Sequence, residues 1–216
     1  MSKSRLVVLI SGSGSNLQAI IDHIDAGEID ATISSVISNK ADAYGLERAK
    51  VAGILTTVVD HTQYASRELF DQALADIIDQ TSPDIIILAG FMRILTETFV
   101  MRYAGKLINI HPSLLPLYRG LHTHKRALQD KVTQHGASVH FVTPELDSGA
   151  VITQGIVSVE NNDTEEILAA RVHQIEHIIY PQAVKLLTEN QVELRADRIY
   201  INNQFLQQPK QYYIEK

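Results

Sequence analysis

Leu107-Ile-Asn-Ile-His-Pro-Ser-Leu-Leu-Pro-Leu-Tyr-Arg-Gly120 opens as a short apolar run, broken once by Asn109, and stops at His111-Pro112. Proline donates nothing to a sheet ladder and drives the residue before it out of the helical region. His111 is therefore expected at the carboxyl end of a buried strand, with Asn109, two residues earlier, on the same side. Pro116 and Gly120 keep the following segment irregular, as suits a loop walling a cleft. An amide and an imidazole together at a strand end can polarise a carbonyl and stabilise the oxyanion formed when an amine attacks it. The same pair would serve equally as hydrogen-bonded core residues without chemistry.

Outward from this strand, apolar runs alternate with helical patterns. Residues 5–10, 31–38, 55–59, 85–89 and 107–110 read as strands, and 15–26, 44–52, 66–81 and 96–103 as helices between them. Strands apolar throughout and separated by helices imply parallel pairing covered on both faces. The expected fold is α/β, a doubly wound and mostly parallel sheet with a Rossmann-like nucleotide-binding half. Its ligand crevice would lie outside the carboxyl ends of the strands. Residues 139–142 and 151–159 follow with no helix between them, so an antiparallel strand or hairpin is expected toward the C-terminal part. Residues 163–190 read as one long helix, opened by an Asp163/Glu166 capping box and either kinked or divided at Pro181. A small hairpin is expected near 193–201, with little pattern beyond Gln207. The whole reads as a single domain, 1–216, with a phosphate-binding half to 105, a catalytic half over 106–190 and a tail over 191–216.

Of the 216 residues, 45% are hydrophobic and 20% charged, enough for a full core. No apolar run approaches the ~20 residues of a membrane span. The opening apolar run enters a glycine turn, so it reads as a first strand and not a signal peptide. With no cysteine, thiolate chemistry and disulfides are excluded, and a cytoplasmic location is expected. The net charge of −6 and the lack of a basic run argue against nucleic acid as the main partner, since such binding neutralises many phosphates. Small-molecule substrates remain, for a monomer or homodimer.

After the first strand comes Ser11-Gly-Ser-Gly-Ser-Asn16, followed directly by the helical Leu17-Gln-Ala-Ile-Ile21. A glycine turn entering a helix lets backbone N–H groups and the positive dipole end meet an anion. Gly14, Ser15 and Asn16 are the candidate ligands. Leu17 stands where a dinucleotide fingerprint needs a third glycine, and no Gly-Lys-Ser/Thr is present, so one phosphate monoester fits better than a pyrophosphate. Taken alone, the segment fits almost as well a tight turn capped by Ser15.

Three further stretches carry candidates. Phe91-Met-Arg-Ile-Leu95 follows a buried strand and Gly90; it could receive a flat heterocycle, or simply be core plus one exposed arginine. Asp147 lies among loop formers in Pro144-Glu-Leu-Asp-Ser-Gly149; beside His111 it would stabilise the imidazolium, although an aspartate in a turn is commonly just a turn residue. His122 and His124 make a His-x-His pair, but without cysteine or an obvious third ligand no metal site is expected. His140 reads as a satisfied strand residue.

Taken together, Asn-x-His-Pro-Ser-x-Leu-Pro at 109–116, Tyr118-x-Gly120 and Leu146-Asp-Ser-Gly149 resemble the signature of the folate-dependent formyltransferases. Ser-Gly-x-Gly-Ser-Asn-Leu-Gln-Ala-Ile at 11–20 is similar to the purine-pathway branch of that family. The resemblance runs from the first strand to about Pro181. It implies transfer of a formyl group from 10-formyltetrahydrofolate, as co-substrate, to the amine of glycinamide ribonucleotide, without a metal. By resemblance Asn109, His111 and Asp147 are catalytic, with Asp147 beside the histidine. The substrate lies on Gly14, Ser15, Asn16 and Glu176, the last facing the ribose hydroxyls. The folate lies on Arg67, Met92, Arg93, Ile94, Leu95 and Asn109. His173 departs from the pattern, standing where the family has a glutamine near the phosphate. Methionyl-tRNA formyltransferase would need a further domain and a basic face. A formyltetrahydrofolate hydrolase, expected to carry an N-terminal regulatory domain, and a non-catalytic nucleotide- or folate-binding module are the alternatives.

Overall fold

The computed structural model describes residues 3–214; Met1, Ser2, Glu215 and Lys216, which the single-domain expectation includes, lie outside the described residues. The chain divides into two compact units, with the break between Asn109 and Ile110.

In the first unit β1 (Ser4–Ile10), β2 (Ala31–Ser38), β3 (Thr56–Val58), β4 (Ile85–Leu88) and the start of β5 (Leu107–His111) pair in parallel, in the order β3-β2-β1-β4-β5. The intervening helices are α1 (Ser15–Asp25), α2 (Tyr44–Val51), α3 (Arg67–Thr81) and α4 (Glu97–Arg102). Leu6 through Ile10 expose no surface, the condition of a parallel strand covered on both faces. Burying each such aliphatic side chain stabilises the fold by about 1.5–3 kcal/mol before entropy is counted. Ser66 caps α3 by accepting the Leu69 N–H, and Thr96 caps α4 by accepting that of Phe99. Strand order reverses between β1 and β4. At such a switch point the loops leaving the two strands diverge and open a crevice at their carboxyl ends.

The second unit holds α5 (Thr123–Gln129), β6 (Gln134–Phe141), β7 (Val151–Ser158) and α6 (Glu165–Thr188). It continues with a small antiparallel sheet of β8 (Val192–Arg195), β9 (Arg198–Ile201) and β10 (Gln204–Phe205), and ends in β11 (Lys210–Tyr213). β6 and β7 are antiparallel, as expected for this region, while β11 runs parallel along the other edge of β7. Gly155 lets α6 lie directly on β7: a methyl group there would come within 2.2 Å of the Ile175 side chain.

Several expectations are corrected. The cap of α6 is Thr164, which accepts the Ile167 N–H; Asp163 instead accepts the Glu160 N–H and pairs with Arg171 at 2.6 and 2.8 Å. Pro181 lies inside α6 and does not divide it. Helix α5 was not expected, nor was β11 in the tail. β6 begins at Gln134, earlier than its apolar pattern indicates, because buried polar residues occupy its first half. Among the described residues no helix is long and apolar enough to cross a membrane.

Candidate active site

Strand β5 ends at His111, as the proline after it requires, and side-chain alternation puts the half-buried Asn109 on the same side as His111. In the second unit the His111 Nε2 lies 2.9 Å from the Tyr118 carbonyl and Nδ1 lies 3.4 Å from Asp147 Oδ2. A carbonyl only accepts, so Nε2 carries a proton, and Nδ1 faces the carboxylate. Asp147 itself adopts a left-handed backbone (φ 49°), and its Oδ2 also accepts the Gly120 N–H at 2.9 Å. Its Oδ1 lies 3.9 Å from the Nε2 of His140. Burial pushes the His140 imidazole down, against the contact of its Nδ1 with the Phe141 carbonyl at 2.8 Å, which acts the other way. One carboxylate thus stands between two imidazoles.

Two residues that sequence reasoning passed over hold the loop after His111. Ser138 Oγ accepts the Leu115 N–H and donates to the Ser113 carbonyl, while the Gln154 amide donates to the Leu115 carbonyl and to Ser138. Both sit on strands whose alternation marks them only as polar; no local signal distinguishes them from solvent-facing residues. Farther along the same loop, Tyr118 Oη donates to Asp130, and Arg126 donates to the Arg119 carbonyl. His124 and His135 make a ring-edge pair with Nδ1 to Nε2 at 3.2 Å. Among the described residues no group of three or more His, Asp or Glu could hold a metal ion.

In the first unit, residues 11–14 make the turn between β1 and α1. Gly14 is the N-cap of α1 in a left-handed conformation (φ 69°) and has no side chain to cap it, so Ser15 is the first helical residue and not the cap considered from sequence. A methyl on Gly14 would come 2.5 Å from the Gly45 Cα, whereas one on Gly12 would meet nothing within 4 Å. Helix α2 therefore dictates Gly14, while the backbone at Gly12 is open to a ligand. Asn16 is buried, Ser15 is half-buried, and the first turn of α1 carries no acidic residue. Arg48, another residue the sequence reading missed, reaches from α2 to donate to the Ser13 carbonyl at 2.9 Å and brings a cation beside the turn. A helix N-terminus whose cap residue has no side chain, an open glycine and a nearby guanidinium suit an anion.

The segment after β4 belongs to the same switch-point crevice. Ser11, at the end of β1, accepts the Met92 N–H at 2.7 Å and donates to Asn39 Oδ1 at 2.5 Å. Met92 and Ile94 are 74% and 62% exposed, leaving an apolar, backbone-rich surface, while Arg93 and Leu95 are half-buried. The segment ends where Asp71 Oδ2 accepts the Thr96 N–H at 2.6 Å. Arg67 is exposed at the first position of α3.

On α6, Glu176 is one of the few buried charged residues. Burial, and after it the charge of Glu176, push the fully enclosed Tyr180 hydroxyl well above its ordinary value. His173 is exposed one turn before His177, their ring centroids 4.5 Å apart.

Residues 4–184 match the formyl transferase family. The phosphoribosylglycinamide formyltransferase of Escherichia coli is 50% identical over 208 residues, covering 96% of this chain and 97% of that protein. Its counterpart in Haemophilus influenzae is 44% identical over 209 residues, covering 97% and 98%. Among solved structures, the phosphoribosylglycinamide formyltransferase of Coxiella burnetii superposes with a TM-score of 0.93 at 45% identity, covering 97% of this chain and 99% of that one.

Proposed function

Because the chain belongs to the formyltransferase family, we propose that it transfers the formyl group of 10-formyltetrahydrofolate to the amino group of 5′-phosphoribosylglycinamide, a step of purine biosynthesis. The observation that carries this reading is the buried His111–Asp147 pair, 3.4 Å apart, at the end of the strand that also bears Asn109.

In this reading the neutral amine attacks the formyl carbon, and the carbonyl π electrons move onto oxygen. Asn109 donates an N–H to that oxyanion. The imidazolium of His111 stabilises the same charge by its proximity, its own N–H groups being turned to Tyr118 and Asp147. As the tetrahedral intermediate collapses, the bond from carbon to the folate nitrogen breaks. The attacking amine loses one proton and the departing nitrogen gains one, a transfer that Asp147 assists through an ordered water. The turn with Gly14, Ser15 and Asn16 holds the substrate phosphate, and Glu176 accepts from the ribose hydroxyls. Met92, Arg93, Ile94 and Leu95, with Arg67, receive the folate, the exposed Met92 and Ile94 supplying its apolar bed. The protein would act on these small molecules in the cytoplasm, as a monomer or homodimer.

The test follows the absorbance change as the folate loses its formyl group. Turnover that requires 5′-phosphoribosylglycinamide supports transfer. Turnover without the amine would make the protein a hydrolase, and none at all would make it a binding module.

A further inference from the structure

Gln154 lies in the middle of β7, only 7% exposed, a long polar side chain in a strand that is buried over most of its length. Its two amide N–H groups are both used: Nε2 donates to the Leu115 carbonyl at 2.9 Å and to Ser138 Oγ at 3.0 Å. A hydroxyl offers one proton and two acceptor lone pairs. Ser138 uses all three, accepting from Gln154 and from the Leu115 N–H at 3.0 Å and donating to the Ser113 carbonyl at 2.7 Å. Three backbone groups of the loop after β5 are therefore clamped by two buried side chains.

The clamp continues into the turn. Ser113 Oγ donates to the Leu117 carbonyl at 2.6 Å, and the Leu117 N–H donates to the Leu114 carbonyl at 3.1 Å. Next along the chain is Tyr118, left-handed at φ 55°, whose carbonyl receives the Nε2–H of His111. An imidazole at a strand end can turn about its side-chain bonds. This one has Nε2 at that carbonyl and Nδ1 toward Asp147.

We propose that Gln154, acting through Ser138 and the loop they hold, is a positioning residue for the imidazole of His111. The proposal rests on the formyl-transfer reading above for its kinetic consequence. Gln154 touches no reacting atom; its donors set where the Tyr118 carbonyl lies, and the carbonyl sets which ring nitrogen faces the carboxylate. If Gln154 only satisfied buried backbone groups, its loss would lower stability and leave the ring unchanged.

The experiment compares the full-length chain with Gln154→Leu, which removes both donors at similar volume, and Ser138→Ala, which removes the node they share. Two readouts are taken: steady-state kinetics, and the ring-nitrogen chemical shifts of His111 in histidine-labelled protein without substrate, assigned by their loss in His111→Asn. We expect kcat to fall on the order of 10- to 100-fold, as for a small misplacement of a reacting group, with KM for 5′-phosphoribosylglycinamide unchanged. The His111 ring-nitrogen signals should shift, because Nε2 and Nδ1 lose their places at the Tyr118 carbonyl and the Asp147 carboxylate. Unmoved ring signals overturn the proposal, whether or not the melting temperature drops, and so does unchanged kcat. If Gln154→Leu does not fold, Ser138→Ala gives the same decision. Should the unaltered chain fail to transfer formyl, the reading of function fails, while the ring signals, recorded without substrate, still decide the clamp.

Discussion

Asp147 Oδ2 lies 3.4 Å from His111 Nδ1, and the two side chains keep only 9% and 8% of their surface exposed. A solvated pair at this distance contributes about 0–1 kcal/mol, but removing one partner of a buried pair leaves a stranded charge at a cost of about 3–5 kcal/mol. Asp147→Asn keeps an acceptor for the Gly120 N–H while removing the charge. We expect it to lower turnover roughly 10²–10³-fold, and His111→Ala to do about the same. The double variant should be little worse than either single one, because groups acting as a unit are not additive. Steady-state kinetics of the three variants check this; losses that multiply would contradict it.

The two glycines of the first turn should separate stability from binding. Gly14→Ala forces a side chain into a left-handed backbone and against Gly45, so it should cost about 1–3 kcal/mol in urea unfolding. Gly12→Ala meets nothing within 4 Å and should leave the unfolding midpoint in place, yet raise KM for 5′-phosphoribosylglycinamide by crowding the open backbone. Equal effects of the two on stability would count against this division.

Ser11 ties the end of β1 to the Met92 backbone. Ser11→Ala leaves that N–H without its acceptor, so the apolar segment around Met92 and Ile94 should lose its fixed course. The expected result is a raised KM for 10-formyltetrahydrofolate, with KM for the phosphate substrate much less affected. Titration of a folate analogue by calorimetry would show it directly.

Burial, with His124 and then His111 adding repulsion, pushes the His135 imidazole down to about 4. In the unfolded chain the same ring takes its proton near pH 6.5, so between these values the unfolded state binds more protons and stability falls as pH falls. Nothing is lost above about pH 6.5; by about pH 4 the loss from this group reaches ~3 kcal/mol. Burial lowers His124 and His140 in the same direction, which steepens the slope. Urea midpoints measured at neutral and acid pH should show the decline, and His135→Gln should flatten it.

Strands β1, β4 and β5 were legible because strands buried on both faces must be apolar nearly throughout, and little else in a chain is. The first half of β6 was not, because His135, Gly136 and Ser138 are polar or small there for reasons that lie on other elements. The start of α6 was misread by one residue: Asp163 and Thr164 both make good caps, and the choice falls to Thr164 because Arg171 engages Asp163. At the candidate site the strand-end histidine followed from the proline after it. The nearness of Asp147 came only through the family resemblance, since nothing local relates two residues so far apart in the chain. Gln154 and Ser138 were invisible, because a polar residue in a strand reads as solvent-facing until its partners are known.

β7 has one neighbour in β6 and the other in β11, whose residues come much later in the chain. Synthesis runs from the N-terminus, so a nascent chain carries the outer row of β7 backbone groups unmatched until β11 has left the ribosome. Such a row is a template for any other extended chain. β11 thus acts as a late seal, and a message cut short before Lys210 should yield molecules that stick to one another through this open flank.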